Sequence, residues 1–497
     1  MEHLLDSKLK IYQTKEKPSA KAFDAFHHVL IIIPKRSDDS VLSKLTQGIK
    51  LKKLLKFTGK TATSRLNNAN FTGLTLAIFE QKTTFEILTW ARKTLKNIIQ
   101  EQSSSLGIVI LDIDEDQTKS IAEALVAAAE AMIFKAPQYK SKKNKNRRLS
   151  KIKFFQMPSK LNLSAIKAQA LGNNIARWFT IQPPNKLDAK IYCSKIKKLV
   201  KPFNIKYKFY DEKILDQMGA GAFLAVSQGN KDRNAGIIKL SYRPNKNNEP
   251  DLALVGKGII FDTGGTNLKP FQSMLNMHMD MEGSAVALGA IIALAHLKVP
   301  FSVDAWLAIT ENRISSTAYK SQDIIKAYNG TTIQTIHTDA EGRMVLADTL
   351  SIASEEKPKM IIDYATLTGS CVAALSQSYS GVFSNRNNAN NLMLEAGIKS
   401  GERVWPFPMD DDLEEPIKSD IADIKQCAIS EYGDHIHAAK FLSHFVPKDI
   451  PWVHIDLSSG KNKGGLAHIP TDATGFGVKL TVELFHSRKF NSILKDL

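Results

Sequence analysis

The chain contains 497 residues, of which 43% are hydrophobic and 24% are charged, a composition typical of a folded globular protein large enough for two domains. Its three cysteines, Cys193, Cys371 and Cys427, are widely spaced, which argues against a disulfide framework and against a CxxC metal site. The formal net charge of +17 would attract nucleic acid or an anionic membrane, but most of the excess is scattered lysine. Apolar runs such as 286–297 are too short to span a membrane and the first residues lack a signal-peptide pattern, so we expect a cytoplasmic protein.

The first part of the chain alternates apolar strand-like runs with amphipathic helical runs. The predicted strands cover residues 27–35, 74–81 and 106–113, and the predicted helices cover residues 83–100 and 118–134. Strands separated by helices favour a parallel sheet. We therefore predict a smaller N-terminal α/β domain over residues 1–160.

A run of basic residues without an intervening acid follows these elements. Its members are Lys140, Lys142, Lys143, Lys145, Arg147, Arg148, Lys151 and Lys153. The pattern predicts an exposed loop at about 138–153, either simply solvated or used to bind an anion such as nucleic acid. The solvated loop is favoured, because the chain contains no helix-turn-helix, zinc-finger or RNP-like motif.

A periodic segment at 161–182 predicts a helix that connects the first domain to a second one at 183–497. In the second domain the strand–helix alternation resumes in longer units. Strands are predicted at 252–256, 303–309, 332–336, 359–364 and 452–457, and helices at 282–297 and 343–355. This order predicts a larger α/β/α domain around a mixed, mostly parallel sheet.

Acidic residues cluster where the predicted strands end. Asp262 follows the strand that begins at 252, and Asp339 and Glu341 follow the strand at 332–336. We therefore expect these side chains, with the turn at 366–369 that follows the strand at 359–364, to meet at the C-terminal edge of one parallel sheet. Carboxylates gathered among apolar and Gly-rich segments repel one another unless cations balance them, which points to one or two divalent metals.

The motif around these residues resembles that of a known family. The segment HTDAEGRM at 337–344 is similar to NTDAEGRL, the signature of the leucine aminopeptidase family of di-metal exopeptidases. Further similar blocks occur in family order, and the resemblance runs from about residue 175 to about residue 484. These blocks lie at 255–270, 279–285, 363–374 and 451–456.

The resemblance implies two divalent metal ions in each chain. Asp262, Asp339 and Glu341 would hold one ion, and Lys257, Asp262, Asp280 and Glu341 would hold the other. Such ligands suit Mn²⁺ or Zn²⁺, with Mg²⁺ or Co²⁺ as alternatives. Lys257 could coordinate a metal only as a neutral amine, so its pKa would have to fall.

The resemblance also implies a mechanism in which a metal-bridged water hydrolyses the peptide. Lys269 would act as the electrophile that stabilises the oxyanion. Arg343 would anchor a bicarbonate ion that serves as general base, because a guanidinium matches a planar oxyanion. A simpler alternative for Arg343 is an ion pair with Asp339 or Glu341. The predicted activity is a leucyl-type aminopeptidase that removes Leu and other apolar residues from peptides.

Substrate contacts and assembly follow from the same resemblance. Thr366, Leu367 and Gly369 would line the substrate site, and the chain would form a homohexamer. The sequence departs from the family at His278, at His337 and in the segment 433–439, which contains His437. Added imidazoles there would alter polarity near the substrate.

Two other functions fit the same residues less well. A binding protein could keep the fold without the chemistry, but all five predicted ligands are present in this chain. A different di-metal hydrolase, such as a phosphoesterase, would normally include histidine ligands.

Overall fold

The computed structural model describes residues 8–35, 53, 61–142, 148–245, 249–430, 432–486 and 489–497. The chain forms two compact units. Of the described residues, those in 171–465 and 471–497 form one unit, and those up to residue 170 form the other together with 466–470. The predicted limits at 160 and 183 remain a prediction, because this division falls within a single helix at Ser164–Thr180.

The described strands fall into three sheets. In chain order they are β1 (Lys10–Gln13), β2 (His28–Pro34), β3 (Thr61–Arg65), β4 (Gly73–Phe79), β5 (Ser105–Ile110), β6 (Lys151–Phe155), β7 (Lys206–Asp211), β8 (Gly236–Tyr242), β9 (Leu252–Asp262), β10 (Val303–Asn312), β11 (Ile324–Lys326), β12 (Thr332–Gln334), β13 (Met360–Ala365), β14 (Ser380–Ser384), β15 (Val404–Pro406), β16 (Ile424–Lys425) and β17 (Trp452–Asp456).

The described α-helices surround these sheets. They are α1 (Thr84–Gln100), α2 (Glu115–Met132), α3 (Ser164–Thr180), α4 (Ala189–Val200), α5 (Glu212–Met218), α6 (Gly221–Ser227), α7 (Phe271–Met274), α8 (Glu282–His296), α9 (Glu341–Glu355), α10 (Gly369–Leu375), α11 (Asn387–Ser400), α12 (Asp434–Ser443), α13 (Val478–His486) and α14 (Phe490–Asp496).

The smaller unit contains a six-stranded sheet in the order β1-β6-β5-β2-β4-β3. Its pairs are parallel except for β3 with β4. Helix α1 begins at a capping box, in which the Thr83 side chain accepts from the backbone of Glu86 and the Glu86 side chain accepts in return; this arrangement satisfies two N–H groups that a helix start leaves free. The predicted α/β architecture is confirmed.

The basic run ends differently from the prediction. The predicted loop reached residue 153, but Lys151 and Lys153 lie in β6, which pairs with β1 and β5. Alternating burial along this strand places Ile152 and Phe154 in the core, and this alternation overrides the charge pattern. Lys143, Lys145 and Arg147 lie outside the described residues.

The larger unit is built on an eight-stranded sheet in the order β15-β14-β17-β13-β9-β10-β8-β7. β9 and its neighbours β10 and β13 are parallel, as are β13 with β17 and β14 with β15. The remaining pairs, β7 with β8, β8 with β10 and β14 with β17, are antiparallel. This is the mixed, mostly parallel sheet that the sequence predicted.

Helices cover both faces of this sheet. Successive side chains of β9 point to opposite faces: Val255 belongs to the same core cluster as Val345 of α9, whereas a Cβ on Gly256 would lie 2.5 Å from the Cα of Ser284 in α8. The unit therefore has the predicted α/β/α layering. A glycine at 256 lets α8 pack directly on the strand.

One sheet assignment was wrong. The predicted strand at 332–336 was placed in the main sheet, but the shorter β12 belongs to a separate three-stranded sheet with β11 and β16. A short strand's partners are set by tertiary packing and cannot be read from its own residues. The acidic turn after it nevertheless reaches the end of β9, as described below.

Among the described residues, one segment is long and apolar enough to cross a membrane, Phe271–His296. Within its most apolar stretch, 83% is buried inside the protein. Its main helix, α8, is buried around almost its whole circumference against the sheet. These properties are those of a core helix.

Candidate metal centre

The candidate site lies where parallel strands of the larger unit end. Asp262 is the last residue of β9 and Asn312 the last residue of β10, and Thr366 directly follows β13. Lys257 lies in the middle of β9, and Glu341 is the first residue of α9. The C-terminal ends of neighbouring parallel strands commonly form ligand sites in sheets of this kind.

Three buried carboxylates meet at this edge. One oxygen each of Asp262, Asp280 and Glu341 lies within 4.8 Å of the others. In the described part of the chain, this is the group of acidic, histidine or cysteine side chains whose geometry could hold a metal ion. Asp339, the fourth predicted carboxylate ligand, lies outside this group and is more exposed.

Lys257 sits between these carboxylates. Its Nζ lies 2.8 Å from Asp280 and 3.1 Å from Glu341, and it donates to the backbone oxygen of Thr366 at 2.9 Å. Burial lowers the pKa of Lys257, but Asp280, Glu341 and Asp262 outweigh burial and raise it. The protein groups alone therefore favour a charged ammonium. The predicted neutral amine would need a positive ion close enough to outweigh these carboxylates.

Asp280, Asp339 and Glu341 have raised pKa values and therefore hold protons more strongly than exposed acids do. Burial, together with the charge of Asp262, raises the pKa of Asp280 to about 6, that of Asp339 to about 7 and that of Glu341 to about 8. Buried acids with such neighbours gain from any added positive charge. Oxygen donors in this arrangement fit hard or borderline divalent cations, so the residues present fit the metals that the resemblance implies.

Lys269 bridges two of the acids. Its Nζ lies 2.8 Å from Asp262 Oδ2 and 2.5 Å from Asp339 Oδ1. Burial lowers the pKa of Lys269, but the surrounding carboxylates, Asp262 and Glu341 foremost, raise it overall. The structure thus brings this predicted electrophile to the site as a charged ammonium.

Asn312 is a site residue that the sequence reasoning missed. Its Nδ2 donates to Asp262 Oδ1 at 2.9 Å and to the backbone oxygen of Thr338 at 3.0 Å, and lies 3.4 Å from Glu341 Oε2. These contacts fix the two carboxylates relative to each other. The signal was its position at the end of β10, next to the end of β9.

Gly342 makes room for Lys257. A Cβ at this position would lie 2.6 Å from Lys257 Cε and 2.8 Å from its Nζ, closer than such atoms approach without displacement. The absence of a side chain at 342 therefore leaves the space that the lysine ammonium occupies. The start of α9 also favours the carboxylate of Glu341, because helix N-termini attract negative charge.

Arg343 is buried and pairs with Asp434. Its Nη2 donates to both oxygens of Asp434, at 2.8 and 3.0 Å, and its Nη1 donates to the backbone oxygen of Gln426 at 3.2 Å. The sequence had left open a pair with Asp339 or Glu341, but the carboxylate on Arg343 belongs to Asp434. Asp434 is the first residue of α12 and was not among the predicted site residues.

The predicted substrate residues line a cavity beside the carboxylates. Its volume is about 1100 Å³, and its walls include Thr366, Leu367 and Gly369 together with Met277 and Met279. Asp456, at the end of β17, shapes this wall by accepting from the backbone N–H of Leu367 at 3.1 Å. The three residues therefore lie together at this wall, and their role in binding substrate stays a prediction.

The three histidines at which the sequence departs from the family are His278, His337 and His437. His337 lines the cavity, and its Nδ1 accepts from the backbone N–H of Asp339 at 3.3 Å. Burial lowers the pKa of His278 and of His437. Both imidazoles are therefore biased toward the neutral form.

Known proteins are similar to this chain in sequence and in fold. Residues 174–482, more than half of the chain, match the cytosol aminopeptidase family, catalytic domain. The chain belongs to this family. A probable cytosol aminopeptidase from Sulfurihydrogenibium sp. is 37% identical over 416 residues, 80% of this chain and 81% of the relative. Another from Aquifex aeolicus is 36% identical over 378 residues, 76% of each chain.

Solved structures of similar fold agree with the architecture. A mutant of tomato leucine aminopeptidase has a TM-score of 0.85 at 24% identity and covers 97% of each chain. The bottromycin maturation enzyme BotP, in complex with Mn, has a TM-score of 0.80 at 24% identity, covering 94% of this chain and 99% of BotP. As a member of the cytosol aminopeptidase family, the chain is a hydrolase, a metal-dependent aminopeptidase.

Proposed function

We propose that this aminopeptidase removes N-terminal Leu and other apolar residues from peptides. The observation that carries the proposal is the buried group Asp262, Asp280 and Glu341, of which Asp262 and Asp280 line a large cavity together with Lys257 and Lys269. A hydrolase of unblocked peptides needs a polarised carbonyl, a proton acceptor and a place for the side chain that is released. The residues described next are proposed to supply the first and the last of these.

The carboxylates are the proposed metal ligands. Asp262, Asp280 and Glu341 would hold divalent ions, with Asp339 and Lys257 as the additional ligands that the resemblance implies. Bound ions would polarise the scissile carbonyl and acidify water. Carboxylate oxygens suit hard or borderline divalent cations, and the family resemblance implies Mn²⁺ or Zn²⁺, with Mg²⁺ or Co²⁺ as alternatives. Asn312 keeps Asp262 and Glu341 oriented through its amide contacts.

Lys269 is the proposed electrophile. Its raised pKa keeps it protonated across the physiological range, so it can donate to an oxygen on which negative charge develops. A preorganised donor in a water-poor site is worth far more than the same donor in water. Its two carboxylate contacts hold the ammonium at the cavity wall.

The cavity wall is the proposed substrate site. Leu367 and the half-buried Met277 and Met279 offer an apolar surface that can adapt to several side chains. Thr366 and Gly369 lie on the same wall, where backbone polar groups can orient a peptide. This composition supports a preference for apolar N-terminal residues.

Location, assembly and the general base are further parts of the proposal. We propose a cytoplasmic homohexamer, in keeping with the family resemblance. A bicarbonate on Arg343 stays a prediction, and we assign it no step, because the guanidinium already carries the carboxylate of Asp434. Binding of nucleic acid by the basic run is not favoured, since Lys151 and Lys153 lie in a strand.

Release of the N-terminal residue from a panel of aminoacyl amides tests the proposal. Metal-loaded protein should hydrolyse leucine amide faster than the amides of Asp or Lys, and it should leave N-acetyl-leucine amide intact because the free amine is blocked. Treatment with a chelator should stop the reaction. Equal hydrolysis of blocked and free amides, or no hydrolysis of any amide by metal-loaded protein, would refute the assignment.

A further inference from the structure

Arg343 is already satisfied by a carboxylate of this chain. Only one nitrogen of its guanidinium, Nε, lacks a hydrogen-bond partner among the described residues. Nη2 donates to both oxygens of Asp434, and Nη1 donates to Gln426. A planar oxyanion such as bicarbonate binds a guanidinium through two parallel N–H groups. It could do so here only by displacing Asp434.

The electrostatics point the same way. Arg343 is 2% exposed, and its Nη2 lies 2.8 Å from Oδ1 of Asp434. A buried cation needs one compensating anion. With Asp434 in that place, a second anion would meet a like charge across a contact of a few ångströms, which is unfavourable where water is scarce.

Asp434 also lies on the substrate side of the protein. It lines the same cavity as Asp262, Asp280 and Asp339, and its side chain is 28% exposed, so it is not simply a buried structural partner. Its backbone is fixed at the start of α12, directly after Gly433, whose φ of +70° favours glycine. The carboxylate is therefore held in the first turn of a helix.

We propose that Asp434 is the resident anion of Arg343, and that it takes the place which bicarbonate would otherwise occupy at this site. A carboxylate and a bicarbonate present the same pair of oxygens on one planar carbon, so either can satisfy the guanidinium. This inference rests on the proposed function. Its consequence is that the wild-type enzyme neither binds bicarbonate at Arg343 nor needs it for turnover.

The test uses the full-length, zinc-loaded protein in buffers freed of carbon dioxide. Binding of ¹³C-bicarbonate broadens its NMR signal. Each protein is compared with its Arg343→Met variant, and the difference in line width between the two is the quantity measured. This difference separates bicarbonate on Arg343 from bicarbonate on the metals. We expect no such difference for the wild type, and a clear one between Asp434→Ala and Asp434→Ala/Arg343→Met.

Turnover provides a second readout. Hydrolysis of leucine amide by the wild type should not change when millimolar bicarbonate is added. Asp434→Ala should lose roughly tenfold to a hundredfold without bicarbonate, the scale of a hydrogen bond to a charged group, and should recover when bicarbonate is added. Asp434→Glu, which keeps a carboxylate, should retain more activity than Asp434→Ala and should respond less to bicarbonate.

Asp116→Ala is the matched control, because Asp116 is also an acid in the first turn of a helix but is exposed in the other unit. It should behave as the wild type. Arg343-dependent broadening in the wild type, or wild-type activity that rises severalfold with bicarbonate, would overturn the inference. If the wild type hydrolyses no amide, the proposed function fails, while the NMR difference still decides which anion Arg343 holds.

Discussion

The contact between Gly342 and Lys257 leads to a quantitative prediction. In Gly342→Ala the new Cβ would lie 2.6 Å from Lys257 Cε, so the lysine must move away from it. The ammonium cannot move freely, because it is held by Asp280 and by the backbone oxygen of Thr366. Overpacking of a buried site typically costs about 1–3 kcal/mol.

A second effect opposes the first. Gly342 is the second residue of α9, and alanine is favoured over glycine within a helix by up to about 1 kcal/mol. The net loss in the free energy of unfolding should therefore be roughly 0–2 kcal/mol. The loss of activity should be larger, since a displacement of about 1 Å in a catalytic site can cost roughly a hundredfold in rate.

A double-mutant cycle isolates the contact. Lys257→Ala removes the atoms that the new Cβ would meet, so adding Gly342→Ala in that background should stabilise the protein or leave it unchanged. The coupling free energy measured by urea unfolding should then be about 1–3 kcal/mol. A coupling near zero, or full activity in Gly342→Ala alone, would show that a glycine at 342 is not required to admit the lysine.

Two further predictions concern Lys269 and a buried acid outside the metal site. Lys269→Ala should lower kcat by on the order of a hundredfold while metal content stays near that of the wild type; loss of the metals with no separate catalytic defect would instead make it a structural cation. Burial raises the pKa of Asp348 to about 7, so the folded protein holds a proton that the unfolded chain releases near pH 4. The stability from this proton is complete below pH 4 and is lost as pH rises through about 7. Asp348→Asn should flatten that decline in urea unfolding, and an unchanged slope would contradict the assigned protonation.

The site residues that could be predicted are those whose local sequence shows where they lie in a strand or helix. Asp262 ends an apolar strand, and Glu341 opens a helix in a motif with a glycine and an arginine. Positions of this kind can be recognised from the residues next to them in the sequence. Asn312 does not, because a neutral amide at the end of a strand looks like any other, and its role depends on β10 lying beside β9.

Long-range pairings explain the remaining differences. Asp434 lies 91 residues from Arg343 in the sequence, and nothing in its own segment indicates which cation it meets. The basic run was interpreted by charge alone, whereas the burial of Ile152 and Phe154 draws part of it into a strand. The strand β12 pairs with β11, which precedes it in the sequence, and with β16, which follows it about ninety residues later. Each difference depends on tertiary contacts that override a local pattern.

If the buried carboxylates hold the metals on which peptide hydrolysis depends, bound metal and activity should change together. Mn²⁺ or Zn²⁺ can be titrated into chelator-treated protein while bound metal and hydrolysis of leucine amide are measured in the same samples. We expect no activity without metal, activity that rises with occupancy toward two ions per chain, and loss of both metal binding and activity in Glu341→Ala. Full activity in the chelated protein, or unchanged metal binding in Glu341→Ala, would contradict this expectation.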